Sequence, residues 1–171
     1  THTAAAALWV GGTIGLGAMA AGRAIRTAYE FVDPDVRRHV AWVPLIGAAQ
    51  ALPAQTEAEA LPDDGHRVVV MVHGFGGHPT NFTLIRGALA ITGRTRTYTP
   101  DLTGYSCVET KARALRRFLD DVIEANELPD DAQLDVLGYS MGGILVRKVL
   151  QDPAMARRVA TVLTAGTPHH G

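Results

Sequence analysis

Cys107 is the only cysteine among 171 residues, so neither an intrachain disulfide framework nor a cysteine zinc cluster can form. Net charge is also nearly absent: 16 basic residues against 17 acidic leave −1. With no basic stripe and no interleaved aromatics, nothing in the chain is built to hold nucleic acid. H-E-x-x-H spacing does not occur, and His169 and His170 beside Pro168 cannot alone complete a tetrahedral metal site. No G-x-G-x-x-G follows an apolar run, and "HGFGGHP" (His73 to Pro79) lacks the lysine of a phosphate-cradling loop. Neither a metal nor a nucleotide cofactor is therefore expected. No internal repeat appears after residue 66. What is present is 47% hydrophobic and 19% charged, a balance that packs a globular core and suits one ordinary domain.

Organisation changes along the chain. Ala4 to Ala21 carries no charge over 18 residues, about the minimum for a hydrocarbon core of roughly 30 Å. Its Gly11 to Gly17 run offers a flat, small-residue face to another helix. Residues 1–52 are therefore expected to form a helical apolar segment: a candidate membrane anchor, or a soluble extension packed on the rest of the chain. A signal peptide fits poorly because no positive region precedes the apolar run. Arg23, Arg26, Arg37 and Arg38 come after it, which for a single span favours a cytoplasmic catalytic domain. The expected localisation is membrane-associated, and these helices are also the expected surface for a protein partner. Residues 53–66, acidic and carrying two prolines, read as a linker.

From residue 67 to 171 the pattern alternates. "RVVVMVHG" is a continuous β-branched run, as in a parallel strand covered on both faces. Strands are also expected over 95–100, 133–138 and 159–166. Helices are expected over 81–92, with Phe82, Ile85 and Leu89 as one apolar stripe, and over 109–127, with Leu115, Phe118, Leu119, Val122 and Ile123 on one face; a third covers 142–151. The order β-α-β-α-β-α-β implies an α/β fold with a doubly wound, mostly parallel sheet. A fourth strand that ends the sheet would leave a long apolar edge unpaired.

Ser140 stands between Gly138 and Gly142 where the third strand gives way to a helix. A tight turn there lifts its central residue to the carboxyl edge of the sheet. Side chains two positions either way would collide with the strand and helix, which explains the two glycines, with Gly143 as further room. The hydroxyl then sits at a helix N-terminus, where free N–H groups and the dipole favour developing negative charge; the N–H of Met141 is one such donor. "VHGFGG" (Val72 to Gly77) ends the first strand at the same sheet edge, and its glycines let backbone approach a ligand. The N–H of Phe75 is the expected second oxyanion donor, with Gly76 as the alternative. Apolar Phe75, Phe82, Leu102 and Met141 are candidates to line an acyl pocket.

A third motif, "GTPHHG" (Gly166 to Gly171), closes the fourth strand. With "HGFGG" and "GYSMGG" it makes the stretch from Arg67 to Gly171 resemble the α/β-hydrolase superfamily, and within it the bacterial lipase and esterase group. The resemblance implies the N-terminal half of that fold. It implies Ser140 as the nucleophile, Phe75 and Met141 as oxyanion-hole donors, and His73, Gly74, Gly76, Gly138 and Gly142 as supports of the site. Tyr139 departs from the family, which usually has His there, at a position that packs near the turn and is not the base.

The resemblance also implies that an acid and then a histidine come after Ser140 in the chain. Asp152 is the only acidic residue after it, and "QDPAM" reads as a helix C-terminus or turn. His169 and His170 correspond to a loop element beside the site, His73 is expected to hold its loop through hydrogen bonds, His78 to be exposed, and Asp101 to fix a loop. The triad acid and base are thus not identifiable within residues 1–171, and both are expected beyond Gly171. The expected activity is hydrolysis of a carboxylic ester, lipid-derived if residues 4–21 anchor the protein, through an acyl-enzyme on Ser140. Acyl transfer by the same intermediate, or a non-catalytic hydrolase-fold subunit of a membrane complex, are the alternatives.

Overall fold

The computed structural model describes residues 55–170. The apolar N-terminal segment, and with it the anchor and partner surface expected there, lies outside the described residues. Among the described residues, no helix is long and apolar enough to cross a membrane.

Residues 55–82 and 96–170 belong to one compact unit. Its elements are strands β1 (Val69–Val72), β2 (Thr97–Tyr98), β3 (Leu134–Tyr139) and β4 (Val159–Ala165), and helices α2 (Val108–Ala125), α3 (Met141–Val149) and α4 (Pro153–Arg157). The sheet runs β2-β1-β3-β4, every pair parallel. Val69 to Val72 are all buried, as a strand covered on both faces must be. Strand order reverses at β1: β2 lies on one side of it and β3 on the other. The carboxyl-end loops of β1 and β3, residues 73–78 and the Ser140 turn, therefore face each other across the switch point, where ligands bind in open α/β sheets.

One face of the sheet, Val68, Val70 and Val72 with Leu134 and Val136, packs with Leu115, Leu119 and Val122 of α2 and Leu145, Val146 and Val149 of α3. The α2 residues recur at helical spacing, so one stripe reaches the core, and Phe118 and Ile123 flank it. The expected stripe is thus in place. Among the described residues β4 is one edge of the sheet, with Val162 43% and Leu163 58% exposed. The β3–β4 pairing shifts register at Leu134/Asp135.

Two local expectations needed revision. The third helix stops at Val149 rather than at 151, because Asp152 begins α4: its carboxylate accepts the Ala154 N–H at 2.8 Å, and Pro153 occupies the first turn. Asp152 is thus a helix N-cap. Residues 55–66 have no helix or strand, but they are tied down. Thr99 N donates to Gln55 O at 2.8 Å, Leu61 N to Asn126 Oδ1 at 3.1 Å, and Arg96 Nη1 to Asp63 Oδ1 at 2.9 Å.

The second revision concerns residues 83–95, which fall in a separate unit. Helix α1 spans Thr83–Ile91, after a 3-10 turn over Pro79–Phe82 that takes Phe82 out of its apolar stripe. Within the helix the buried positions are Arg86, Gly87 and Ala90, and Ile85 stays 40% exposed. The helix closes with a Schellman motif: Gly93 (φ 91°) lets Arg94 N reach Leu89 O at 2.9 Å.

Candidate active site

Ser140 is the one residue joining β3 to α3. Its backbone sits at φ 52°, ψ −123°, a region that costs a non-glycine residue about 1–3 kcal/mol and is held only where surroundings over-determine it. Two bonds do so: Ser140 N donates to Ala165 O at 2.8 Å, and Gly143 N to Ser140 O at 3.1 Å. The glycines around it are required by contact rather than by flexibility. A Cβ on Gly138 would lie 2.5 Å from Gly143 Cα, and one on Gly142 would lie 2.1 Å from Val72 O. A Cβ on Gly143 would lie 2.1 Å from Thr167 Oγ1. The turn is thus wedged between β1 and the "GTP" loop after β4, and no side chain larger than hydrogen fits at these three points.

The "HGFGG" loop meets the same turn. A Cβ on Gly74 would stand 2.8 Å from Ser140 Cβ and 3.3 Å from its Oγ, so bare backbone closes one side of the hydroxyl. Gly77 N donates to Gly74 O at 3.1 Å with Gly76 at φ 64°, a β-turn whose third position needs a left-handed residue. Gly76 is required for that angle alone, since a Cβ there would meet nothing within 4 Å. Among the described residues, neither Phe75 N nor Met141 N donates to a protein acceptor. Met141 is the first residue of α3, one of the helix positions whose N–H has no internal partner.

His73 is 2% exposed, and its tautomer is set by its neighbours. Leu102 N donates to Nε2 at 3.1 Å, so the ring proton is on Nδ1 and is donated to Gly74 O at 3.0 Å. Both nitrogens are therefore occupied in holding the loop. His169 is occupied too: Arg147 Nη1 donates to its Nδ1 at 3.0 Å, leaving Nε2–H for Thr164 Oγ1 at 3.0 Å. His78 is exposed beside Thr80. Asp101 accepts Thr103 N–H at 2.9 Å, and hydrogen bonds from Thr103 hold its carboxyl below the usual carboxylate range. Among the described residues, no imidazole hydrogen-bonds Ser140 Oγ.

Of the four apolar candidates, Phe82 and Leu102 are buried in packing. Phe75 is 66% exposed and meets Tyr105, 94% exposed, edge to face at 5.8 Å. Sequence reasoning overlooked Tyr105. It also overlooked Lys111, which is buried in the first turn of α2. Its signal was legible: Lys111 lies four residues before Leu115 and eight before Leu119, on the apolar stripe.

A parallel sheet with a serine on a strained strand-to-helix turn, at the switch point and against a glycine-rich loop, is the architecture of hydrolytic α/β proteins. A family model described as "Alpha/beta hydrolase family" matches residues 69–170. The chain belongs to the alpha/beta hydrolase family. Among solved structures, the crystal structure of Bacillus licheniformis lipase BlEst2 in mature form is similar, with a TM-score of 0.54 and 23% identity over 68% of this chain and 46% of that chain. The chain therefore spans less than half the length of that lipase, and at this identity the likeness is one of fold. No curated protein sequence matches the chain significantly.

Proposed function

We propose that the protein is a serine hydrolase that cleaves carboxylic esters through an acyl-enzyme on Ser140. The observation that carries this reading is the strained Ser140 turn with Gly74 backbone against its hydroxyl, next to two N–H groups, of Phe75 and Met141, that no described acceptor takes. Family membership and the fold of the lipase neighbour support it.

In this reading Ser140 Oγ attacks the acyl carbon while a histidine from outside the described residues accepts its proton. The carbonyl oxygen takes the negative charge and accepts hydrogen bonds from Phe75 N and Met141 N, each worth about 3 kcal/mol in the transition state. Collapse expels the alcohol, which takes the proton back from the imidazolium. Water then attacks the acyl-enzyme and releases the acid. His73 cannot serve as that histidine, because its Nε2 already accepts from Leu102 N and its Nδ1–H already donates to Gly74 O. Residues 4–21, as an anchor, would bring the site to a bilayer, where lipid-derived esters are at hand; fractionation of the full chain with and without them tests that placement.

The test of the activity is labelling of the full chain with a fluorophosphonate followed by peptide mapping. An adduct on Ser140, absent from Ser140→Ala, is expected together with turnover of a p-nitrophenyl ester. An unlabelled serine in the full chain would sink the reading.

A further inference from the structure

Lys111 is a buried amine that the proposed chemistry does not use. It is 5% exposed and lies in the first turn of α2, where the helix dipole disfavours a cation. No carboxylate pairs with it among the described residues. Its Nζ donates instead to the backbone carbonyls of Leu102 and, at 3.3 Å, of Thr103. A buried ammonium needs such partners, and these two carbonyls belong to a segment that is itself tied to the site.

Leu102 is clamped on both sides. Its C=O receives Lys111, and its N–H donates to His73 Nε2 at 3.1 Å. That bond fixes the ring proton on Nδ1, which donates to Gly74 O at 3.0 Å; Gly77 N donates to the same oxygen at 3.1 Å. Gly74 C=O and Phe75 N–H belong to one planar trans peptide, so they point in opposite directions. Whatever fixes the carbonyl aims the amide.

We infer that Lys111 is a positioning residue for ester hydrolysis, acting through Leu102 and His73 to aim the Phe75 N–H at the oxyanion. The inference rests on the acyl-enzyme reading above. Lys111 touches neither Ser140 nor substrate. Its contribution is to hold a donor in place before charge develops, so it acts on the transition state and leaves substrate binding alone.

The experiment compares the unsubstituted full chain with Lys111→Met, which keeps length and removes the donors, and with Lys111→Arg, which keeps them. Kinetics are read on a p-nitrophenyl ester and normalised to folded protein by circular dichroism. Lys111→Met is expected to lower kcat roughly tenfold to hundredfold, part of what deleting an oxyanion donor outright costs, with KM changed less than about twofold. Lys111→Arg should recover much of the loss. The ring 15N spectrum of His73 should show a protonated Nδ1 in the unsubstituted chain and a mixture of tautomers in Lys111→Met. If Lys111→Met does not fold, Lys111→Gln replaces it; loss of fold in both makes the lysine purely structural and overturns the inference. Full kcat in a folded variant, or loss of kcat with the His73 spectrum unchanged, overturns it and leaves the acyl-enzyme reading standing. An unsubstituted chain with neither ester turnover nor a Ser140 adduct overturns both.

Discussion

Gly74 and Ser140 are in contact at the level of bare backbone: a methyl group on the first would lie 2.8 Å from the β-carbon of the second and 3.3 Å from its hydroxyl oxygen. The two residues come from loops after different strands, β1 and β3, which are hydrogen-bonded neighbours in register from Val69↔Asp135 to Val72↔Gly138. The sheet register thus delivers the loop to Ser140.

Gly74→Ala should therefore act on the reaction more than on the fold. The added methyl would stand 2.8 Å from Ser140 Cβ and 3.1 Å from Tyr139 O, so we expect stability to fall by about 1–2 kcal/mol and kcat by about a hundredfold. Gly142→Ala is the control: its methyl would sit 2.1 Å from Val72 O, inside packed backbone, and should cost roughly 3 kcal/mol or prevent folding. Urea melts alongside ester turnover separate the two, and equal stability losses would contradict the assignment.

Ser140 at φ 52° predicts an inverted stability order. Elsewhere in a chain alanine is commonly more stable than glycine, because glycine has more freedom to lose on folding. Here Ser140→Gly should melt higher than Ser140→Ala, by about 1 kcal/mol, since glycine alone relieves the strained backbone. Neither variant should hydrolyse ester. A higher melting point for Ser140→Ala would mean the turn stores no strain.

Asn126, the C-cap of α2, is a junction. Its side chain accepts from Leu61 N at 3.1 Å and Arg96 Nη2 at 3.2 Å, and donates to Val122 O at 2.8 Å and Tyr98 Oη at 2.7 Å. Tyr98 Oη in turn donates to Glu59 O at 2.6 Å. Asn126→Ala leaves several of these groups unpaired at once and should cost about 2–3 kcal/mol. Proteolysis should then cut first within residues 55–66, which lose their Leu61 anchor. Unchanged cleavage there would show that the segment is held by its apolar contacts alone.

Asp152 couples stability to acid. Its carboxyl is held below the ordinary value of 3.8, first by the Ala154 N–H and next by Arg116. A depressed folded-state pKa gives stability that is fully present above the unfolded value and lost as pH falls below it. Asp152→Asn should thus lower the melting temperature near neutrality and flatten its decline as pH falls below about 4. The same acid slope in both proteins would show that Asp152 does not contribute.

The strands and helices of residues 67–165 were largely legible because their periods are strong: four consecutive buried residues in β1, and Leu115, Leu119 and Val122 along α2. The Ser140 turn was legible for a related reason, since only glycine fits two positions either side of it, where the chain is pressed against neighbouring backbone. Boundaries were less so. Asp152 reads as a helix end until its carboxylate is seen to cap the next helix, and Phe82 reads as part of an apolar stripe until the 3-10 turn removes it.

Local sequence, then, determined which elements form and which serine stands on the bend, because periodicity and steric size act between near neighbours. Tertiary structure alone decided that Lys111, Leu102, His73 and Gly74 hold one another in succession. It also decided that Asn126 gathers two distant segments and that His169 spends both ring nitrogens on Arg147 and Thr164. Most of those hydrogen bonds depend on residues that come together only in the fold, and their partners are chosen by how the strands and helices pack, which no local pattern records.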